Sequence, residues 1–421
     1  MTAESAAPAH IAFAALRHRG FRAYFVLSAL SMMADNIEHV ISYWVIFQKF
    51  HSPALGGFAV VSHWLPFLLF SVYSGSLADR IDPRRMIQAG MVLFMSVSIT
   101  WGILFMSGAL QIWHAAALLI VHGMAGVLWG PPSQLLLHDI VGREHLQSAV
   151  RLNATARQLG MLAGPGVGGA LLLLLGPNYG ILFNACLYAP FLIWLAFAPY
   201  GPKFRAAGAV VATRAVRSAR DVWQALNEIA QHRVILTMTL LAGGASLFIG
   251  NAYQAQMPGF AHDLGHANVD FSYSMLLGAD AAGALTAGFA LETRGWLRPH
   301  PVTACALAML WCVALGSFAL SSSYAVALPM LFCAGFVELS FNSMAQTLVQ
   351  LDAPPDMRGR AIGVFSMFAA GMRTFSGVTV GLAGARMGIH ASLAASAAAL
   401  FVAIGLLIQF GLRRGQSKPA P

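Results

Sequence analysis

Charge is what this sequence has least of. Of its 421 residues, 10% are Asp, Glu, Lys or Arg, where a soluble protein carries about 25%. Lysine is nearly missing: Lys49, Lys203 and Lys418 are the only ones. None of them sits in a G-x-x-x-x-G-K-[ST] loop, which excludes a P-loop nucleotide site, and no H-E-x-x-H stretch occurs. Without an ATP site or a catalytic constellation, an enzyme is not expected. Any work must be driven by an ion gradient or by the substrate's own gradient. Cys186, Cys305, Cys312 and Cys333 all lie in apolar runs. Their spacing matches no metal-binding pair and no disulfide framework, so neither a metal nor a cofactor is expected. The start lacks a basic stretch followed by an apolar core and a cleavage site, so no signal peptide is expected.

Apolar residues fill the space that charge leaves. They make up 58% of the chain, and the mean hydropathy is +0.67. Twelve runs are long enough to cross a bilayer, which takes about 20 residues: 24–47, 55–77, 86–107, 112–137, 149–174, 179–198, 234–257, 271–291, 302–320, 324–351, 361–385 and 392–410. This predicts an all-α membrane protein with a six-helix bundle over 24–198 and a second over 234–411. A linker at 199–233, a leading segment at 1–23 and a tail at 412–421 complete the chain. Within the linker, 214–232 reads as an amphipathic helix lying on the membrane surface. The net charge of +9 could suggest nucleic acid, but its distribution excludes that partner. Lys49 and Arg386 fall in outer loops, and Arg157 and Arg373 lie within spans. The remaining basic residues gather at one set of loops and the termini, as positive-inside topology requires. Arg17, Arg19 and Arg22 then keep the N-terminus inside, and twelve spans return the C-terminus to the same side.

One short loop organises the rest. Between the second and third spans runs Gly75-Ser76-Leu77-Ala78-Asp79-Arg80-Ile81-Asp82-Pro83-Arg84-Arg85. Pro83 stops a continuous helix. Gly75 permits close backbone approach. Asp79, one turn on, can pair with an arginine or face a helix N-terminus. The halves repeat at a constant offset of 213 residues: Gly75 and Asp79 match Gly288 and Glu292, Asp139 matches Asp352, and Gly164 and Gly168 match Gly377 and Gly381. The second copy is degenerate. Thr293 stands for Arg80 and Leu297 for Arg84, although Arg298 keeps Arg85, so one latch should be stronger than the other.

Ionisable groups in hydrocarbon are costly and mark function. Asp35, Glu38 and His39 share one face of helix 1 at i, i+3 and i+4, extended by Ser28, Ser31 and Ser42. Two carboxylates one turn apart suit proton coupling, with His39 tuning them; a purely structural carboxylate–histidine contact is the alternative. Asp280 lies mid-span in helix 8. Glu338, Asn342 and Gln346 form a second stripe on helix 10. Arg373, mid-span in helix 11, should pair with Asp280 or Glu338 or meet an anionic substrate. A static ion pair is the competing account. Arg157 lies nearer the inner surface, where snorkelling explains it.

Two patterns carry a family resemblance. The loop G-x-x-x-D-R-x-x-x-R-R, with Gly75, Asp79, Arg80, Arg84 and Arg85, resembles the inner gate of the major facilitator superfamily. Helix 5 carries G-x-x-x-G-P-x-x-G-G at Gly160, Gly164, Pro165, Gly168 and Gly169. That run is similar to the helix-5 motif of the superfamily's proton-driven siderophore and drug exporters. Phe21-Arg22, Val141-Gly142-Arg143-Glu144 and Arg358-Gly359-Arg360 extend the likeness along most of the chain. The resemblance implies twelve transmembrane helices in two pseudo-symmetric six-helix halves. It also implies a monomer in the inner (plasma) membrane with both termini cytoplasmic. Its expected work is export of a drug-like or siderophore-like molecule by proton antiport through alternating access. Solute uptake, lipid flipping, or a membrane sensor that has lost transport are the alternatives. Asp35 matches the acidic position in helix 1 of related exporters and is expected to be the more essential acid. One departure stands out: many drug exporters have an arginine in helix 4, and here helix 4 offers only His122.

Overall fold

In hydrocarbon every backbone N–H and C=O must be paired within its own segment, so apolar runs of this length become helices. The computed structural model describes residues 11–51, 53–204, 216–250, 252–264, 269–295, 297–376 and 383–409, and no strand occurs among them. The helices are α1 (Arg19–Phe50), α2 (Pro53–Ala78), α3 (Pro83–Met106), α4 (Ile112–Val141) and α5 (Leu146–Phe197), then α6 (Ala219–Gln231) and α7 (Arg233–Phe248). They continue with α8 (Ala252–Ala255), α9 (Met257–Asp263), α10 (Val269–Arg294), α11 (Pro301–Ala319), α12 (Tyr324–Asp352), α13 (Arg358–Ala369), α14 (Ala383–Met387) and α15 (Ile389–Leu407). They form the twelve spans of two pseudo-symmetric six-helix halves.

Side chains such as Leu173 and Phe197, 87% and 82% exposed, present an apolar outer surface to lipid. Local signals set the helix ends. Asp82 caps α3, accepting from the Arg84 backbone N–H at 3.0 Å, with Pro83 in the first turn. The fifth and sixth spans run together as α5. Its one non-helical residue is Gly176, whose φ of 70° suits glycine, and Pro177 follows.

Two of the expected spans are interrupted. The run expected over 234–257 ends its helix at Phe248 and passes through Gly250 at φ 50° before resuming as α8 and α9. The run expected over 361–385 stops at Ala369 and tightens into a 3₁₀ turn, Gly371–Phe375. Apolar periodicity does not register such breaks, because the composition stays apolar throughout. Irregular backbone at this depth is tolerated where protein buries it or where it borders a cavity. Gly250 and Arg373, one from each break, line the same cavity. Gly377 and Gly381, the repeat partners of Gly164 and Gly168, lie outside the described residues.

The linker helix packs on the second half. α6 opens with a Ser218–Asp221 capping box, and its Ala225 and Ile229 are buried in the core of the second half. Glu228 pairs with Arg360 of α13 at 2.6 Å. Trp223 stays 65% exposed on the other face.

The helix-5 glycines seat α5 on α1. A Cβ at Gly160 would lie 2.7 Å from Ala29 O, and one at Gly168 would lie 3.2 Å from the Val40 Cβ. At Gly164 it would collide with Asn36. Gly169 faces open space. Pro165 sits within the helix, and the break comes at Gly176 instead. This contact uses the Ala29–Asn36–Val40 side of α1 and leaves Asp35, Glu38 and His39 for the interior. Lipid gives no hydrophobic drive to helix association, so close packing of this kind matters. Gly164→Leu is expected to destabilise the half by about 1–3 kcal/mol through overpacking. The check is thermal stability and monodisperse yield in detergent, with Gly169→Leu as the silent control.

Candidate functional site

The two halves meet at the Arg80–Arg85 end through two related latches. In the first, the α2 and α13 backbones touch. A Cβ on Gly75 would strike the Gly359 carbonyl and come within 2.8 Å of the Gly363 Cα. That approach puts the Asp79 carboxylate at the α13 N-terminus, where it accepts from the Gly359 N–H at 2.7 Å and the Arg360 N–H at 3.2 Å. Unpaired N–H groups and the helix dipole favour an anion there. In the second latch, Gly288 of α10 abuts Thr155 of α5. Glu292 takes a hydrogen bond from Ser148 Oγ at 2.7 Å near the start of α5. Arg151 donates to Leu297 O at 2.7 Å and to Leu291 O at 3.1 Å. The degenerate copy is therefore built, with Ser148 and Arg151 as its partners.

The loop arginines work elsewhere. Arg84 pairs with Asp82 at 2.5 Å and donates to the Ala198 carbonyl; Arg85 bonds Gln88 at 2.8 Å. Arg80 is exposed.

Above the latches, the first half holds a buried polar cluster. His122 of α4 lies between the two helix-1 acids. Its Nδ1 is 2.8 Å from Glu38 Oε1, and its Nε2 is 3.0 Å from Asp35 Oδ1. Ser98 Oγ donates to Glu38 Oε2 at 2.5 Å, and Asn184 donates to Ser98 at 3.3 Å. His39 is more distant, 4.0 Å from Asp35. So the histidine that engages both acids is His122, one helix away, and not the neighbouring His39. His63 of α2 completes the group, with its ring 5.1 Å from His39 and 5.5 Å from His122. A Cβ on Gly123 would collide with the Ser62 carbonyl, so α2 and α4 press together where His63 and His122 project. Sequence reasoning missed His63 because one histidine in an apolar helix has no periodic signature. The adjoining Ser62 and Pro66, both against Gly123, were the available signal.

The second half holds a different cluster. Tyr253 of α8 places its hydroxyl oxygen 3.1 Å from Asp280 and 3.3 Å from Glu338. Gln254 donates to Asp280 at 3.3 Å. Glu338, Asn342 and Arg373 line one cavity together with Ser246 and Trp311. Gln346, the third member of the helix-10 stripe, is buried below it. Arg373 lies over the Trp64 ring of the other half, 4.9 Å from its centroid. Among the described residues it makes no ion pair within 4.0 Å, and its Nε is buried without a hydrogen-bond partner. The expected direct pairing of Arg373 with Asp280 or Glu338 is thus not present. The break at Ala369 lifts Arg373 out of helical register with α12, and Tyr253 takes the space between the acids. Tyr253 escaped sequence reasoning because it belongs to the irregular segment that hydropathy reads as plain helix.

Comparison with known proteins agrees with this geometry. A family model described as a transmembrane secretion effector matches residues 10–420. The putative multidrug resistance protein MdtD of Salmonella typhi is 35% identical over 122 residues, which is 28% of this chain and 24% of that protein. The Cronobacter sakazakii protein of the same name is 30% identical over 120 residues, again 28% and 24%. The chain thus spans about a quarter of the length of these curated relatives. Two solved structures share the fold. The human organic anion transporter TETRAN has a TM-score of 0.70 at 14% identity, covering 92% of this chain and 99% of that one. The E. coli fucose:proton symporter FucP has a TM-score of 0.69 at 12% identity, covering 93% and 98%.

The first latch gives a direct prediction. Asp79→Ala removes the anion from the α13 N-terminus and is expected to weaken the closed arrangement by about 1–2 kcal/mol, roughly a 5–30-fold shift in population. Spin labels at Ile81 and Asp356, on a background without the native cysteines, should show a longer distance component in the variant. An unchanged distance distribution would remove the latch role from Asp79.

Proposed function

We propose that this chain, which belongs to the transmembrane secretion effector family of major facilitator superfamily transporters, exports a small neutral or cationic organic molecule in exchange for protons. The basic loops are cytoplasmic on this reading, so the latches close the inner side and the cavity faces outward. The observation that carries it is the Tyr253 hydroxyl set between two carboxyl groups. A phenol has one proton to give. It can donate to Asp280 or to Glu338 but not to both at once, and a proton on the other carboxyl would relieve the repulsion of two like charges across the phenol. Three oxygens therefore share a dissociable proton beside the cavity.

Alternating access supplies the rest. With the outer side open, the Asp280–Tyr253–Glu338 group takes a proton, which lowers the charge that must pass through low-dielectric surroundings. Opened inward, it releases the proton. The regained carboxylate charge then attracts a cation or a hydrogen-bond donor into the space beside Asn342 and Trp311. Proton and substrate compete for Glu338, which is what makes the process an exchange. Asp35 and Glu38, the pair first expected to couple protons, are both engaged by the His122 imidazole. Asp280 and Glu338 have only a phenol and an amide between them. These contacts support a coupling proton in the second half.

One observation favours a second reading. Arg373 is without an ion pair among the described residues, so an anionic substrate could take it. Protonating Glu338 would then free Arg373 further, and proton and anion would bind together. That coupling is cotransport, not exchange.

The test uses proteoliposomes with an imposed pH gradient and ethidium as probe. Glu338→Gln and Asp280→Asn are expected to abolish gradient-driven ethidium movement, while Asp35→Asn keeps a measurable part of it. Loss in Asp35→Asn or Glu38→Gln with full activity in the Glu338 and Asp280 variants would move the coupling site to helix 1. Proton flow in the same direction as the substrate would select the second reading.

A further inference from the structure

The three histidines of the first half are more than aromatic packing. His39, His63 and His122 come from three different helices, and one nitrogen atom from each lies within 4.8 Å of the others. His39 Nε2 and His63 Nδ1 are buried and make no hydrogen bond, and His122 Nε2 faces Asp35 Oδ1 at 3.0 Å. Two buried imidazole nitrogens without partners, beside a third that faces a carboxylate, are costly to keep unless something occupies the space between them. We propose that His39, His63 and His122, with Asp35, bind one divalent transition-metal ion of borderline softness, of the Zn²⁺, Co²⁺ and Ni²⁺ class.

The local chemistry supports that class. Imidazole suits these ions, whereas Mg²⁺ and Ca²⁺ need oxygen-rich shells. Adjacent ligand atoms around a tetrahedral zinc ion lie about 3.3 Å apart, given metal–ligand bonds of about 2.0–2.1 Å. Asp35 Oδ1 already stands 3.0 Å from His122 Nε2, close to that edge length. The histidine nitrogen atoms lie within 4.8 Å of one another, and binding would draw them in to that spacing. The far side of His122 is also arranged as metal-bound histidines require. Its Nδ1 faces Glu38 Oε1 at 2.8 Å, and Glu38 is held by Ser98 at 2.5 Å. A carboxylate on the remote ring nitrogen fixes the tautomer so that Nε2 presents its lone pair. Charge balances as well: three neutral imidazoles with two carboxylates sum to −2, which a divalent ion cancels.

The site can be reached. His39 is 21% exposed at the side chain while His122 is 3% exposed. His63 adjoins Trp64, with ring centroids 4.5 Å apart, and Trp64 faces Arg373 across the interface of the halves. The inference does not depend on the export reading, because it concerns binding to the protein at rest.

The experiment uses the full-length protein in detergent, with any affinity tag removed, and Co²⁺ or Zn²⁺ alone as probe. One equivalent of Co²⁺ should bind with the visible absorption of a four-coordinate site. Zn²⁺ should displace it, and excess Mg²⁺ or Ca²⁺ should not. His39→Asn and His63→Asn should each weaken Zn²⁺ binding at least about tenfold. His262→Asn, at an exposed position on α9, should leave it unchanged. Thermal unfolding separates a lost site from a lost fold: the metal-free variants should melt as the wild type does, and Zn²⁺ should raise the midpoint of the wild type alone. Absence of saturable binding overturns the proposal. So does binding that persists unchanged in His39→Asn and His63→Asn, or a six-coordinate Co²⁺ spectrum.

Discussion

Every polar group inside this protein has to find its partner within the protein, because hydrocarbon supplies none. That constraint dictates more than the helices. It explains why the two helix-1 acids are bridged by His122, and why Ser98 and Asn184 continue the chain of bonds behind Glu38. It also explains why the broken backbone near Gly250 and Ala369 occurs beside a cavity and not against lipid. The same rule gives weight to the exceptions. Among the buried polar atoms without a hydrogen bond are Arg373 Nε, His39 Nε2 and His63 Nδ1, and Arg373 lies over Trp64 of the other half.

The repeated architecture divides labour between unequal copies. Each half places a carboxylate from its second helix near the start of a helix in the other half: Asp79 at α13, and Glu292 at α5. The first is a direct helix-terminus contact. The second runs through Ser148, with Arg151 beside it holding the Leu291 and Leu297 carbonyls. The interiors diverge further. The first half collects histidines around its acids, whereas the second collects a tyrosine and a glutamine. Two acids with an imidazole between them have a basic partner. Two acids beside a phenol have none, and on the two proposals made above that difference gives coupling to one half and metal affinity to the other.

Much of this was legible in the sequence. Low charge, one-sided arginines and the 213-residue repeat specify an all-α transporter of two halves, because each reflects a physical requirement of spanning a bilayer. The Gly75–Asp79 spacing predicted a close approach, and of the two partners open to Asp79, an arginine or a helix N-terminus, the structure has the helix N-terminus. What the sequence hid depends on tertiary placement. His63 and Tyr253 carry no periodic signal; their significance comes from helices that Gly123 and the break at Gly250 bring together. The separation of Arg373 from both acids follows from a backbone interruption in a segment that hydropathy alone cannot distinguish from a continuous helix.

The central claim is that substrate and proton compete for the Asp280–Tyr253–Glu338 group. Proton release at equilibrium tests it most directly. Ethidium is added to the purified protein in weakly buffered solution near neutral pH, and the change in free proton concentration is followed with an indicator. The account predicts release of protons in proportion to bound ethidium, and no release from Glu338→Gln. Proton uptake on binding, or release that persists undiminished in Glu338→Gln, would contradict it.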